Sequence, residues 1–288
     1  MTELATIHAW PALERPLLVI GMEGWIDAGV AASTATSSLL AAMPTQLVAT
    51  FDADELIDFR ARRPTLKIVN GVDTELRWAT IRLYAATNRT GRTVLVLTGP
   101  EPDMRWHRFI AEVVQLSSRL EIELVVGLGA FPAPVPHTRP VRLIGTSADA
   151  ELADRIGVLP ASIEVPSGIQ GALEVAFGEV STPAVGLWAR VPHYAAAMPY
   201  PAASAALLEG LANLADLELD TSALRGAATE THRQIDRLIA GSDEHAALVR
   251  QLEEQQDREQ GFADTAFGVL PSGDELAAEL ERFLRGER

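Results

Sequence analysis

Ten residues of this 288-residue chain have side chains suited to chemistry, and they fall in four short polar stretches. Glu23, Trp25 and Asp27 lie in Met22–Ala28, and Glu101 and Trp106 in Gly99–Trp106. His137, Thr138 and Arg139 lie in Ala130–Pro140, and His193 and Tyr194 in Ala189–Tyr194. Glu23 and Asp27, four residues apart, suit an acid/base pair. The competing reading makes one a loop-stabilising carboxylate and the other a helix N-cap. Glu101, between Pro100 and Pro102, reads as an acceptor for backbone amides rather than a proton carrier. Arg139 suits an anion, and pairing with Glu23 or Glu101 serves equally well. Its loop is stiffened by Pro132, Pro134, Pro136 and Pro140, because each proline fixes its own φ and extends the residue before it. His137-Thr138-Arg139 at the loop tip is therefore either a presented binding group or a brace tied to buried acceptors. Trp25, Trp106 and Trp188 are expected in the core rather than as stacking surfaces.

Established catalytic patterns are missing. There is no G-x-S-x-G elbow and no P-loop, and Gly127-Leu128-Gly129 lacks a third glycine and runs into prolines rather than a helix. No H-E-x-x-H occurs, and His107, His137 and His193 stand 30 and 56 residues apart, which is no metal-ligand spacing. Zero cysteines removes disulfides, thiol catalysis and thiolate metal sites together. No metal and no cofactor is expected. Whether the chain is an enzyme stays open at this point, with a non-enzymatic role favoured. The 24 basic against 39 acidic residues, net −15, disfavour nucleic acid, whose phosphates need a basic surface. No membrane partner is expected either, since no apolar run reaches the length of a span and the N-terminus has no signal-peptide pattern. A cytoplasmic location fits.

The elements that must position these loops are short buried strands. Leu17–Ile20, Val94–Leu97, Leu124–Leu128 and Ala184–Trp188 are continuous apolar runs, as expected of strands covered on both faces. If they run parallel, the four polar stretches share the carboxyl edge of one sheet, where open α/β sheets bind ligands. Helices are expected over about Ala28–Ala42 with Asp27 as cap, from Asp103 to about Leu120, and over Gly168–Val180. Leu47–Phe51 and Val141–Ile144 read as further strands, and Ile163–Val165 as a weak one. Asn70-Gly71 between Leu66–Val69 and Leu76–Tyr84 signals an antiparallel hairpin, which makes the sheet mixed. A boundary is expected near residue 202, with an α/β body over 1–201 and a helical region over 202–288 packed on it. That region has one stripe at Leu207, Leu211, Leu214 and Leu217 and another at Leu224, Ala228, Thr231, Ile235 and Leu238. The polar Asp243–Gln260 segment reads as a solvated face, with part of a helical contact as the alternative, and Ser272–Glu275 as a capping box opening a last helix.

The stretches GMEGWIDAG (21–29), TGPEPDMRW (98–106), PHTRP (136–140) and GLWARVPHY (186–194) resemble the signatures of the PAC2 family, the proteasome assembly chaperone 2-like proteins, in its actinobacterial-type branch. The likeness runs from about Leu17 through the final helices. It implies an α/β fold: a three-layer α-β-α body with a mixed, largely parallel sheet, phosphorylase/hydrolase-like, plus a C-terminal helical region. It also implies a homo-oligomer, trimeric by fold analogy, that binds protein, with proteasome subunits as candidate partners. It supplies no catalytic residue. Many proteasome-chaperoning relatives dock through a C-terminal hydrophobic-Tyr-any tripeptide, whereas this chain ends Gly286-Glu287-Arg288. The alternative is a small-molecule site or enzyme for an anionic or nucleoside-like ligand at the convergent loops. As a brace, Arg139 is expected to cost stability when removed, through a lost Glu23 or Glu101 pairing. His137, read as an exposed tip, is expected to cost little.

Overall fold

The computed structural model describes residues 4–11, 13, 16–25, 27–88, 91–154 and 162–263. The chain begins β1 (Ala5–Ile7), β2 (Leu17–Glu23), a 3-10 turn at Ala28–Val30, α1 (Ala31–Ala41), β3 (Thr45–Phe51) and α2 (Ala53–Leu56). It continues β4 (Thr65–Val69), β5 (Val72–Arg77), β6 (Arg82–Thr87), β7 (Thr93–Pro100), α3 (Trp106–Arg119), β8 (Leu124–Ala133) and β9 (Leu143–Ser147). Then come α4 (Ala150–Asp154), α5 (Ile169–Glu179), β10 (Ala184–Pro192), a second 3-10 turn at His193–Ala195, α6 (Pro201–Ala215), α7 (Ser222–Ile239) and α8 (Asp243–Ala263). The capping box at Ser272–Glu275 and the helix after it lie outside the described residues.

Among the described residues, eight strands form one sheet in the order β1-β3-β6-β7-β2-β8-β10-β9. The four apolar runs are its centre: β7, β2, β8 and β10 are mutually parallel. Their residues alternate between two cores, because successive side chains of a strand point to opposite faces. Leu17, Val19, Val126, Leu128, Val185 and Leu187 meet α1 and α6 on one face. Leu18, Ile20, Leu95, Leu97 and Val125 meet α3 and α5 on the other. Phe109 on α3 is fully buried there against Phe51, ring centroids 5.0 Å apart; truncating such a ring costs about 3–5 kcal/mol. The Ala/Ser/Thr composition of α1 lets it approach β2 so closely that a Cβ on Gly21 would lie 1.8 Å from Thr36 Oγ1. The three α-β-α layers follow from this pattern.

The sequence reading needs correction at several points. β4 and β5 do pair at Asn70-Gly71, but as a separate two-stranded sheet. The mixed character of the main sheet comes instead from antiparallel pairings of β1, β3, β6 and β9. Leu76–Tyr84 is two strands, because the chain turns between Arg77 and Arg82 to leave the hairpin and join the sheet. Ile163–Val165 forms no strand. Asp103 does not cap α3. It accepts from the Asp58 amide at 2.9 Å and pairs with Arg62 at 3.1 Å, tying the hairpin's root to the second polar loop. Leu207 and Leu211 are fully buried beneath α6, which lies beside α1 on the sheet face. The α7 stripe stops at Ile235, since Leu238 is 71% exposed.

Candidate functional site

Parallel β7, β2, β8 and β10 place all four polar loops on one edge, as their strand order requires. The first loop is held tightly. Asp27 Oδ1 accepts from the Ala32 amide at 2.7 Å and Oδ2 from the Ser33 hydroxyl at 2.6 Å, so this carboxylate caps α1 across the intervening 3-10 turn. Asp27 also bridges to Ala130, joining the first loop to the third. Gly29 adopts φ 65°, where a Cβ would lie 2.7 Å from Tyr200 Cβ. Its amide donates to the Ala196 carbonyl and its carbonyl accepts from the Tyr200 amide, both at 2.8 Å, which laces the first loop to the fourth. Val30 follows with φ 52°, a strained state for a β-branched residue.

The candidate residues form two groups rather than one pocket. In the first, the Glu101 amide donates to the Glu23 carbonyl at 2.8 Å, and Glu101 Oε1 accepts from the Ile169 amide at 2.5 Å. Glu101 therefore satisfies the first turn of α5, where the helix dipole also favours a carboxylate. Trp106 Nε1 donates to the Pro102 carbonyl at 2.6 Å and closes its own loop. Trp25, expected in the core, is 75% exposed at the same edge.

In the second group His137 is 2% exposed, not a solvated tip. Its Nε2 lies 3.0 Å from Asp236 Oδ1 on α7, and its Nδ1 2.8 Å from the Tyr194 hydroxyl. The carboxylate requires a proton on Nε2, so Nδ1 accepts from Tyr194, whose oxygen in turn accepts from the His137 amide at 2.8 Å. Burial, with Glu253 and Asp236 nearby, pushes the Tyr194 hydroxyl up to about 12. His232 stacks edge-on to His137, 5.8 Å between centroids, and its Nε2 lies 3.2 Å from the Tyr200 hydroxyl. Burial first, then His137, lowers its pKa. His193 stays exposed beside Tyr194.

Arg139 pairs with neither Glu23 nor Glu101. Its Nη2 meets Asp257 at 2.7 Å and its Nη1 meets Glu253 at 3.2 Å, both on α8, while Thr138 donates to Glu253 at 2.5 Å. The hydrogen bond and charge of Asp257 raise the Arg139 pKa, and Arg139 lowers that of Asp257. The α8 helix is consequently docked on the third loop, with Val249, Leu252 and Gln256 buried, and is not merely a solvated face. Sequence reasoning missed Asp236, Glu253 and Asp257 because they lie some 100 residues away on helices whose polar positions look like solvated ones.

A third polar group was also missed. On the α5 face, Gln170 packs over Gly127, with both of its amide atoms buried and without a hydrogen-bond partner. Four residues on, Glu174 Oε2 accepts from the Thr146 hydroxyl at 3.0 Å, whose oxygen accepts from Trp188 Nε1 at 2.7 Å. Burial raises the Glu174 carboxyl to about 7, opposed by the Thr146 hydrogen bond. Gln170 and Glu174, one turn apart in a helix whose only other polar side chain is the terminal Glu179, were the available signal. Among the described residues no cluster of His, Asp and Glu could hold a metal ion, and no helix is long and apolar enough to cross a membrane.

A three-layer body whose strand-end loops carry these four stretches, capped by helices, is the arrangement of a known family. The PAC2 family profile matches residues 21–239, and the chain belongs to the PAC2 family. Its relatives of known structure include a Corynebacterium glutamicum protein of unknown function, 33% identical, with TM-score 0.85 over 89% of this chain and 98% of that one. A Mycobacterium tuberculosis protein described as a proteasome-assembly chaperone homologue is 35% identical, with TM-score 0.75 over 81% of this chain and 99% of that one. An archaeal proteasome activator from Pyrococcus furiosus, 14% identical with TM-score 0.64 over 81% and 97%, shares the fold. No curated protein matches the chain.

Proposed function

We propose that this chain is a non-enzymatic, self-associating protein that binds another protein in an assembly-chaperone-like role, with proteasome subunits as the first partners to test. The observation that carries this reading is how the polar groups of the carboxyl edge are used. Asp27, Glu101, His137 and Arg139 are spent on internal bracing, while the apolar Trp25 and Met104 stand 75% and 41% exposed on the first two loops. An edge that uses Asp27 and Glu101 internally and turns an indole outward suits a protein surface, where large aromatics supply the anchors. The family relatives described as a proteasome-assembly chaperone homologue and a proteasome activator support the same reading. The cysteine-free composition fits a cytoplasmic setting. The test is co-elution of the purified chain with 20S proteasome subunits of the same organism. Complex formation weakened at least tenfold by Trp25→Ala is expected, and failure to bind any subunit overturns the proteasome assignment.

One observation favours a second reading, a small-molecule site. The buried amide of Gln170, unpartnered beside Glu174, Thr146 and Trp188, has the donor and acceptor pair that reads a polar heterocycle. A thermal-shift screen over nucleosides, nucleotides and phosphate decides it, because a ligand at ten times its Kd adds about 1.4 kcal/mol of stability.

A further inference from the structure

We propose that Gln170 and Glu174 on α5 form a proton-operated switch, whose state passes along the first turn of that helix to the carboxyl edge carrying Trp25. The inference deepens the partner-binding reading of that edge, on which its use as regulation rests, although the switch itself needs no partner. Its seat is a glycine floor. Gly127 on β8 and Gly186 on β10 are register partners in a parallel pair, so they lie side by side on strands about 4.8 Å apart. A Cβ on Gly127 would stand 2.5 Å from Gln170 Nε2, and one on Gly186 2.7 Å from Glu174 Oε2. The space that two side chains of the sheet would fill is therefore taken by two polar groups of one helix. They are four residues apart, the spacing at which an amide and a carboxylate share a hydrogen bond across a helical turn. Trp188 closes the floor, with its ring over Gly129, its own register partner, and its Nε1 donating to Thr146.

Counting donors shows why the arrangement has two states. The Thr146 hydroxyl donates to Glu174 Oε2 at 3.0 Å, which suffices for a neutral carboxyl. An ionised carboxylate at the same depth needs further donors. Gln170 holds one: it is 2% exposed, and neither atom of its amide has a partner. Burial raises the Glu174 carboxyl to about 7, which puts the change of state near neutral pH. The charged or titratable groups on the elements packed against α5 are His107, Arg108, Glu112 and Arg119 of α3 and Arg190 of β10, with Glu179 on α5 itself. β8 and β9 carry none, and no charge among these groups acts on the carboxyl. Loss of the proton then draws the Gln170 amide from Gly127 towards Glu174, and the first turn of α5 moves with it. That turn is tied to the edge. The Ile169 amide donates to Glu101 Oε1 at 2.5 Å, and the Glu101 amide donates to the Glu23 carbonyl at 2.8 Å, two residues before Trp25. The protonated state keeps this tie, and ionisation loosens it.

Hydrogen exchange read by mass spectrometry on the full chain tests this, with rates corrected for the pH dependence of unstructured amides. Between about pH 5.5 and about pH 8.5, protection of residues 21–30, 98–106 and 168–174 in the wild type is expected to fall about tenfold or more, with its midpoint near 7. Glu174→Gln, neutral at every pH, should keep the protection at both ends of that range. Gln170→Met, which keeps the length and removes the donor, should move the midpoint up by about 1 pH unit, because hydrogen bonds to the charged form favour it. Wild-type protection that ignores pH overturns the inference, and so does a fall that survives in Glu174→Gln. A midpoint unmoved in Gln170→Met removes Gln170 from the switch and overturns it as stated. A fall confined to 168–174 overturns the link to the edge. Because no partner is present in these measurements, a chain that switches yet binds no proteasome subunit refutes the partner assignment alone.

Discussion

The third loop and the β4–β5 hairpin invert each other. The loop carries His, Thr and Arg, residues that ordinarily face water, yet Tyr194 and Asp236 hold a buried His137 while Glu253 and Asp257 pair with Thr138 and Arg139. The hairpin carries leucine, isoleucine and valine, residues that ordinarily sit inside, yet every position of it is exposed. In the loop, enclosure is compensated: the amide and both ring nitrogens of His137 have partners, so their desolvation is offset. In the hairpin, exposure is uncompensated within one chain. Residue type alone would assign the loop to binding and the hairpin to structure, yet the loop's polar groups have partners within the chain and the hairpin's apolar ones have little cover.

The comparison breaks most readily at His137. Replacing it by alanine leaves the Tyr194 hydroxyl and the Asp236 carboxylate without their shared partner and opens a space under α7. A loss of about 2–3 kcal/mol is expected in urea denaturation. A loss under about 0.5 kcal/mol would mean that the imidazole is not bracing α7 and that the contrast with the hairpin is false.

Glu174 sharpens the same contrast, because its burial is only partly compensated. Its folded pKa of about 7 lies above the ordinary 4.5, so the native state favours the protonated carboxyl. Stability from this group is fully present below about pH 4.5 and is lost as pH rises through about 7. Glu174→Gln should therefore gain about 1–2 kcal/mol over wild type at about pH 8, discounted for its partial exposure, and nothing at about pH 4. Thermal melts across that range check it. An equal effect at both pH values would show that packing, not charge, is at stake.

What could be read from the residues follows the range of the interactions. Continuous apolar runs such as Leu17–Ile20 and Ala184–Trp188 specify buried parallel strands by themselves, and with them the shared carboxyl edge. Asp27 as a cap and Glu101 as an amide acceptor were also legible, because both partners lie close to a strand end or a helix start. His137 and Arg139 were not. Their partners sit on α7 and α8, and a carboxylate at a polar helix position looks the same whether it meets water or a guanidinium. Trp25 failed because aromatic type predicts burial on average, whereas this indole stands 75% exposed at the sheet edge. The hairpin was legible in its turn and in its pairing. Its isolation from the main sheet was not, because Leu76–Tyr84 carries no punctuation where β5 gives way to β6.

Arg139→Ala tests the outer part of the same brace. Its guanidinium meets Glu253 and Asp257 near the surface, with the Arg139 side chain 31% exposed. Water and salt screen such a pair, so its removal should destabilise less than removal of His137, and that smaller loss should shrink further in about 0.5 M salt. Equal losses for the two variants, independent of salt, would show that the α8 contact is as structural as the buried imidazole.

The smallest effect is expected where the chain alone has least to lose. Ile68→Ser removes an apolar side chain that is 59% exposed and lies on a ribbon with uncovered faces. In a single copy its loss should change stability by no more than about 0.5 kcal/mol, as for most exposed positions. If a second copy covers the hairpin, association adds stability that grows with protein concentration, and the wild-type melting temperature rises with it. The variant should then match wild type in dilute solution and fall below it as concentration increases. Differential scanning over a hundredfold concentration range separates the two contributions. A deficit already present in dilute solution would mean that Ile68 packs within its own chain, and the inversion between loop and hairpin would disappear.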